Sequence, residues 1–173
     1  MFHSFARARR AAAAAIAVFL VTAGIALATA GAPRVEVSIL AEREVVRKDS
    51  SGRPVASREP VTIANPGDVI VYTLTARNAG DAPALEPRIE DPLPAGTLLL
   101  PDSVETGGAS VTASLDGGKT WLPFPARVER RRDDGTAESV PAPPEAYTHL
   151  RWTLPGSLGP GESRHVLFKV RIR

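Results

Sequence analysis

The chain has 173 residues, 43% of them hydrophobic and 23% charged, which excludes a disordered or collagen-like polymer and suits one ordinary domain. Its 21 Lys and Arg against 19 Asp and Glu leave a formal charge of +2, too little for a nucleic-acid-binding surface. Cysteine is absent, so disulfides, thiol nucleophiles, cysteine zinc sites and a lipoprotein attachment point are excluded.

Residues 1–30 are a different material from the rest. "MFHSFARARR" carries Arg7, Arg9 and Arg10, the run from Ala11 to Leu27 is almost wholly apolar, and Ala28 to Ala30 read "ATA". A basic start, an apolar stretch and a small-x-small end are the parts of an export signal, and they predict cleavage after Ala30. The alternative is an uncleaved N-terminal anchor, since the apolar run is long enough to span a bilayer; its alanine richness makes it only weakly hydrophobic. Arg9 and Arg10 hint at twin-arginine export, but "AAAA" follows where bulky apolar residues belong, so the general route is expected. Without the three leader arginines, 18 basic residues face 19 acidic ones. The mature chain, residues 31–173, then carries about −1, so no basic surplus points to nucleic acid or an anionic membrane, and no membrane insertion is expected once the signal is cleaved.

The mature chain alternates with period two, the mark of strands with one face on a core. In "RVEVSILA" the apolar set is Val35, Val37, Ile39 and Ala41. The polar stretch Arg47 to Pro60 reads as the tip of a long hairpin. In "DVIVYTLTARN", Ile70, Tyr72, Leu74 and Ala76 point one way and Val69, Val71, Thr73, Thr75 and Arg77 the other, the pattern of a central strand. "NPGD" at 65 to 68, "NAGDAP" at 78 to 83 and "DPLPAG" at 91 to 96 are turns. "RVERRR" at 127 to 132 is a solvated basic stretch offset by Asp133 and Asp134, and Arg130 to Tyr147 reads as a long loop without period. "THLRWTL" sets Leu150, Trp152 and Leu154 against His149, Arg151 and Thr153. After the "GPGE" turn, the last segment sets Val166, Phe168, Val170 and Ile172 against Leu167, Lys169 and Arg171. Seven to eight short strands, turn-rich connections and no helices for crossovers predict an all-β, antiparallel β-sandwich.

"SLDGGKTW" has the spacing Ser-x-Asp-x-Gly-x-Thr-Trp, the Asp-box pattern of β-hairpins in sialidases and other propellers. A propeller needs several blades of roughly 40 residues each, and the pattern occurs once here. The residues Ser114, Asp116, Gly117, Gly118, Thr120 and Trp121 therefore read as a structural turn. Asp116 accepts turn amides, the two glycines supply positive φ angles, and Trp121 covers the hairpin base. The competing reading is a glycan platform led by Trp121.

No catalytic, cofactor or metal site emerges. The mature chain has two histidines, His149 and His165, both expected on outward faces, so a nucleophile–base pair has no evident members. Glu90 with Asp91, and Asp133 with Asp134, lack the spaced oxygen ligands of a calcium loop, and no phosphate loop is present.

The stretch from "NPGDVIVYTLTARN" through "DPLPAG", with Pro66, Gly67, Asp68, Tyr72, Asn78, Gly80, Asp91, Pro92, Pro94 and Gly96, resembles the bacterial conserved repeat domain called domain of unknown function 11. "SLDGGKTW" and the final segment with its turn at Pro160 and Gly161 are similar to the end of that module. The resemblance covers nearly all of the mature chain. It implies an immunoglobulin-like sandwich of bacterial envelope or surface proteins and makes Pro66 to Asp68, Asn78, Gly80, Asp91 to Gly96, Pro160 and Gly161 turn positions. A single copy with no sorting tail after Arg173 does not suit a stalk, which needs repeats.

These observations point to a non-catalytic exported module, in the periplasm or at the cell surface. Its expected partner is an envelope or surface protein, met through a strand edge, such as that of the terminal strand from Glu162, or through the Arg130 to Tyr147 loop. A carbohydrate- or peptidoglycan-binding module is the alternative, and a small hydrolase the more distant one.

Overall fold

In a computed structural model, described here over residues 31–173, thirteen strands follow one another with one short 3-10 turn and no α-helix. The strands are β1 (Val35–Lys48), β2 (Pro54–Pro60), β3 (Val69–Asn78), β4 (Ala84–Leu85), β5 (Arg88–Pro92), β6 (Thr97–Glu105) and β7 (Ser110–Ser114), then β8 (Leu122–Pro123), β9 (Arg127–Arg131), β10 (Ala137–Pro141), β11 (His149–Thr153), β12 (Ser157–Leu158) and β13 (Ser163–Ile172). The expected export signal lies outside the described residues.

Two antiparallel sheets share one core. The larger has the order β2-β1-β3-β13-β6 and the smaller β5-β11-β7-β8, while β9–β10 and β4–β12 form two small ribbons. The all-β sandwich expected from the alternation is what the chain forms. β3 is central, as its β-branched, two-faced pattern predicts, with β1 on one side and β13 on the other. Its Ile70, Leu74 and Ala76 are buried, and from β13 so are Val166, Phe168 and Val170. From the smaller sheet, Ile89, Ala113, Leu150 and Trp152 meet them. A chain of aromatic contacts crosses the core: Tyr72 stacks on Phe168 at 5.2 Å, and Phe168 on Trp152 at 5.9 Å.

Several expectations are corrected. Ten strands have five residues or more, against the seven to eight expected. Part of the excess comes from Arg130 to Tyr147, which is no open loop: β9 and β10 pair across a turn at Asp134 and Gly135, and a 3-10 turn at Pro144–Ala146 leads into buried Tyr147. The alternation there is carried by Arg, Glu, Ser and Val, so hydrophobicity does not reveal it. The terminal strand is not an edge over Leu167 to Ile172, where β13 is paired on both sides, with β3 and β6; Ser163 to Val166 pair with β3 alone. Asp91 and Pro92 belong to strand β5, and the turn begins after them; Asp91 faces inward and is buried.

A further correction concerns β1. Its Val37 and Ile39, expected in the core, are 46% and 54% exposed. They lie on the correct face, opposite the buried Ala76 and Leu74 of β3, but the four-stranded sheet is too narrow to reach them.

Candidate functional site

The turn positions form two clamps at the ends of β3. Before it, the Asp68 carboxylate accepts from Asn65 N at 2.9 Å, Gly67 has φ 91°, and Gly67 N and Asp68 O both bond the backbone of Ile172. Pro66 precedes this glycine and Gly96 O receives the amide of Arg173, while Pro94 O accepts the Thr97 hydroxyl. After β3, Asn78 is fully buried. Its Oδ1 accepts from Arg34 N and Gly80 N, and its Nδ2 donates to the carbonyls of Ala82 and Leu158. Gly161, which follows Pro160, donates its amide to Asn78 O. A side chain at Gly80 would overlap the backbone of Ala32 and Arg34, so only glycine lets the strands close here.

The Ser114–Trp121 stretch is a turn saturated with internal hydrogen bonds. Asp116 Oδ1 accepts from Lys119 N, Thr120 N and the Ser114 hydroxyl, and Oδ2 accepts from the Thr120 hydroxyl. These bonds, led by the Thr120 amide, hold the Asp116 carboxyl well below the usual carboxylate range. Gly117 and Gly118 take φ of 78° and 83°, and Gly117 N donates to the Thr148 hydroxyl at 3.0 Å.

Beside this turn lie the other chemically suggestive side chains. The Arg151 guanidinium sits 3.5 Å over the Trp121 ring, fixed by two bonds to Glu90 at 3.1 and 2.8 Å. His149 meets the same indole edge-on at 6.3 Å. It is half-buried against Gly118 rather than freely solvated, because the turn folds back over the end of β11. Its Nδ1 is 3.2 Å from the Thr148 hydroxyl, but that hydroxyl donates to Ser114 O and accepts from Gly117 N. Asp91, on the neighbouring strand, faces the opposite side; burial pushes its carboxyl up, with His149 partly offsetting. His165 stands on the outer face of the large sheet, in an open trough of about 500 Å³ with Arg58, Thr73, Thr75 and Glu105. Among the described residues no group of three or more potential metal ligands occurs, and no helix is long and apolar enough to cross a membrane.

The feature that hydrophobic alternation could not reveal is the open edge of β1. β2 pairs with β1 only over Glu42 to Lys48, whereas β3 pairs with Val35 to Glu44 on the opposite side. Among the described residues, Val35 to Ala41 thus present an unpaired edge seven residues long. Other sheet edges are blunted in the ways that proteins discourage strand addition. β5 carries Arg88, Glu90 and Pro92, β2 carries Pro54, Arg58 and Pro60, β6 contains Pro101 and a register shift against β13, and β8 is Leu122–Pro123 alone. The free stretch of β1 has one charge, Glu36, and three exposed apolar side chains: Val37, Ile39 and Leu40. The signal in the sequence was the "RVEVSILA" alternation itself, which marks a face but not its cover.

No family model, no curated protein and no solved structure matches the chain.

Proposed function

We propose that this chain is a non-catalytic, exported cell-envelope module of the immunoglobulin-like type, allied to the conserved repeat domain it resembles, and that it acts by protein contact along the free edge of β1. The observation that carries this reading is the unguarded, apolar Val35–Ala41 edge; among the described residues the outer strands of the two main sheets otherwise bear prolines, charges or a bulge. Exposed backbone N–H and C=O groups on such an edge accept a partner strand, and alternate side chains select it. Export is read from residues 1–30, and intact mass of the processed protein starting at Gly31 is the expected result; full-length protein in a membrane pellet would favour the anchor.

The Trp121 ring favours this reading over a sugar platform, because the guanidinium of Arg151 occupies a face that a pyranose would stack on. The Thr148 hydroxyl beside His149 gives its proton to a carbonyl, which supports a structural role rather than that of a nucleophile. The test is a photo-crosslinking side chain placed at position 39 or at position 121 in living cells. Protein adducts are expected from position 39 and none from position 121. Adduct-free position 39, together with retention on peptidoglycan that Trp121→Ala abolishes, would replace the protein-contact reading with the carbohydrate one.

A further inference from the structure

We infer that the partner strand on β1 is β1 of a second copy, paired antiparallel about a two-fold axis at Ser38. This rests on reading the β1 edge as a protein-contact surface. A two-fold axis perpendicular to the sheet keeps inner faces together, so residues pair with others of the same parity, and the register is set by what then stands opposite what.

Charge selects among the registers. Centring on Ser38 puts Val37 opposite Ile39 and Val35 opposite Ala41 on the inner face. On the outer face Glu36 stands opposite Leu40, and Ser38 opposite its own copy. Arg34 of each chain lies just beyond the ladder, since Pro60 holds the edge at Glu42, and its long side chain extends towards the Glu42 carboxylate of the other, an opposite-sign pair at each end. Moving the axis one residue towards the C-terminus puts Glu36 opposite Glu42, and two residues the other way puts Glu36 opposite itself; like charges directly opposite are destabilising. Centring on Val37 avoids repulsion but leaves Arg34, which pairs with Glu36 of its own strand at 3.3 Å, opposite Leu40, with no opposite charge across the seam.

The ladder has natural limits. It stops at Ala41, where Pro60 of β2 takes over the edge beside Glu42. The paired stretch brings together Val37 and Ile39 from both chains, which are about half-exposed in the single chain, and gives each a cross-strand apolar neighbour. It also joins the two five-stranded sheets into one and removes the edge from solvent, which stops further growth.

The chain contains no cysteine, so single-cysteine variants of the full chain, processed by its own host, report the register directly. Paired residues of an antiparallel ladder have Cα atoms about 4.5 to 5.5 Å apart, within disulfide reach. Two Leu40 residues related by this axis would be about 14 Å apart, beyond it. Under mild oxidation Ser38→Cys is expected to give a covalent dimer and Leu40→Cys to stay monomeric. In sedimentation the unmodified protein is expected to double in mass with concentration. Ile39→Lys should raise the half-dimerisation concentration by more than about tenfold at an unchanged melting temperature and circular dichroism. A monomer at every concentration, or a dimer cross-linked by Leu40→Cys but not by Ser38→Cys, overturns the self-pairing. If the protein is monomeric yet the position 39 photo-adduct carries a different protein, self-pairing fails while the protein-contact reading stands. With no adduct at all, both fail.

Discussion

Ile39 on β1 and Leu74 on β3 stand directly opposite each other on the same face of the same sheet. Leu74 is 0% exposed and Ile39 is 54% exposed. Their sequences, "VSILA" and "YTLTA", carry the same apolar alternation. What separates them is the cover from the opposing layer: β11, β7 and β5 lie over β3 and β13, whereas on β1 Val35 and Ala41 pack partly against the core and Val37 and Ile39 between them stay exposed. Period two reports on which side a residue faces, and a second sheet decides whether that side is dry.

The largest expected effect tests the covered half. Leu74→Ala deletes a fully buried side chain between Ile39 and Val166 and should lower stability by about 3 kcal/mol, transfer and cavity costs together. Chemical denaturation reads this, and a loss below about 1 kcal/mol would show that the face over β3 is not sealed.

Next comes Asp116→Ala, which loosens the turn joining β7 to β8 in the covering sheet. It should lower the melting temperature by a few degrees at neutral pH. Because the hydrogen-bonded Asp116 carboxyl lies below the usual range in the folded state, its contribution is complete above the ordinary carboxylate value. That contribution disappears as pH falls through and below it. The variant and the parent should therefore converge in strong acid, and parallel pH curves would contradict the turn-acceptor role.

Asp91→Asn probes the covered face with the opposite sign. Burial raises the Asp91 carboxyl, so the folded chain binds its proton more tightly than the unfolded chain does. Ionised Asp91 thus costs stability at neutral pH, and the cost vanishes as pH drops below the ordinary carboxylate range. The substitution should raise the melting temperature slightly at pH 7 and have no effect in acid. A destabilised variant at pH 7 would mean that the carboxylate is paired.

The smallest effect belongs to the uncovered half. Ile39→Ala should change the stability of the monomer by less than about 0.5 kcal/mol, as for a surface position, measured at concentrations where the chain is single. A cost comparable to that of Leu74→Ala would show that Ile39 is covered, either by residues 1–30 or by a partner.

Much of the architecture was legible. The two-faced strand at Val69–Asn78 and the Leu150–Trp152–Leu154 face follow from side-chain period, a local property; the hairpin after Arg47 was also legible, but its tip is only Asp49 to Arg53, and the polar Pro54–Pro60 stretch read as part of the tip is strand β2. The β9–β10 ribbon was not legible, because polar residues on both faces of a solvated ribbon leave no hydrophobic period to read. Nor was the inward Asp91, which the neighbouring Pro92 and Pro94 disguised as part of a turn. The candidate site was half visible: Val37 and Ile39 were picked out as apolar, but assigned to the core.

By itself the sequence determined strand character and shared faces in the segments with apolar alternation, and most of the turns between them, because each depends on neighbours within a few residues. The order of strands was a tertiary decision: β13 became an interior strand over Leu167 to Ile172, and β1 kept an open edge over Val35 to Ala41. Pairing and cover depend on which sheet ends where, through contacts between residues far apart in the chain. An edge is the place where such contacts stop, and no local pattern records it.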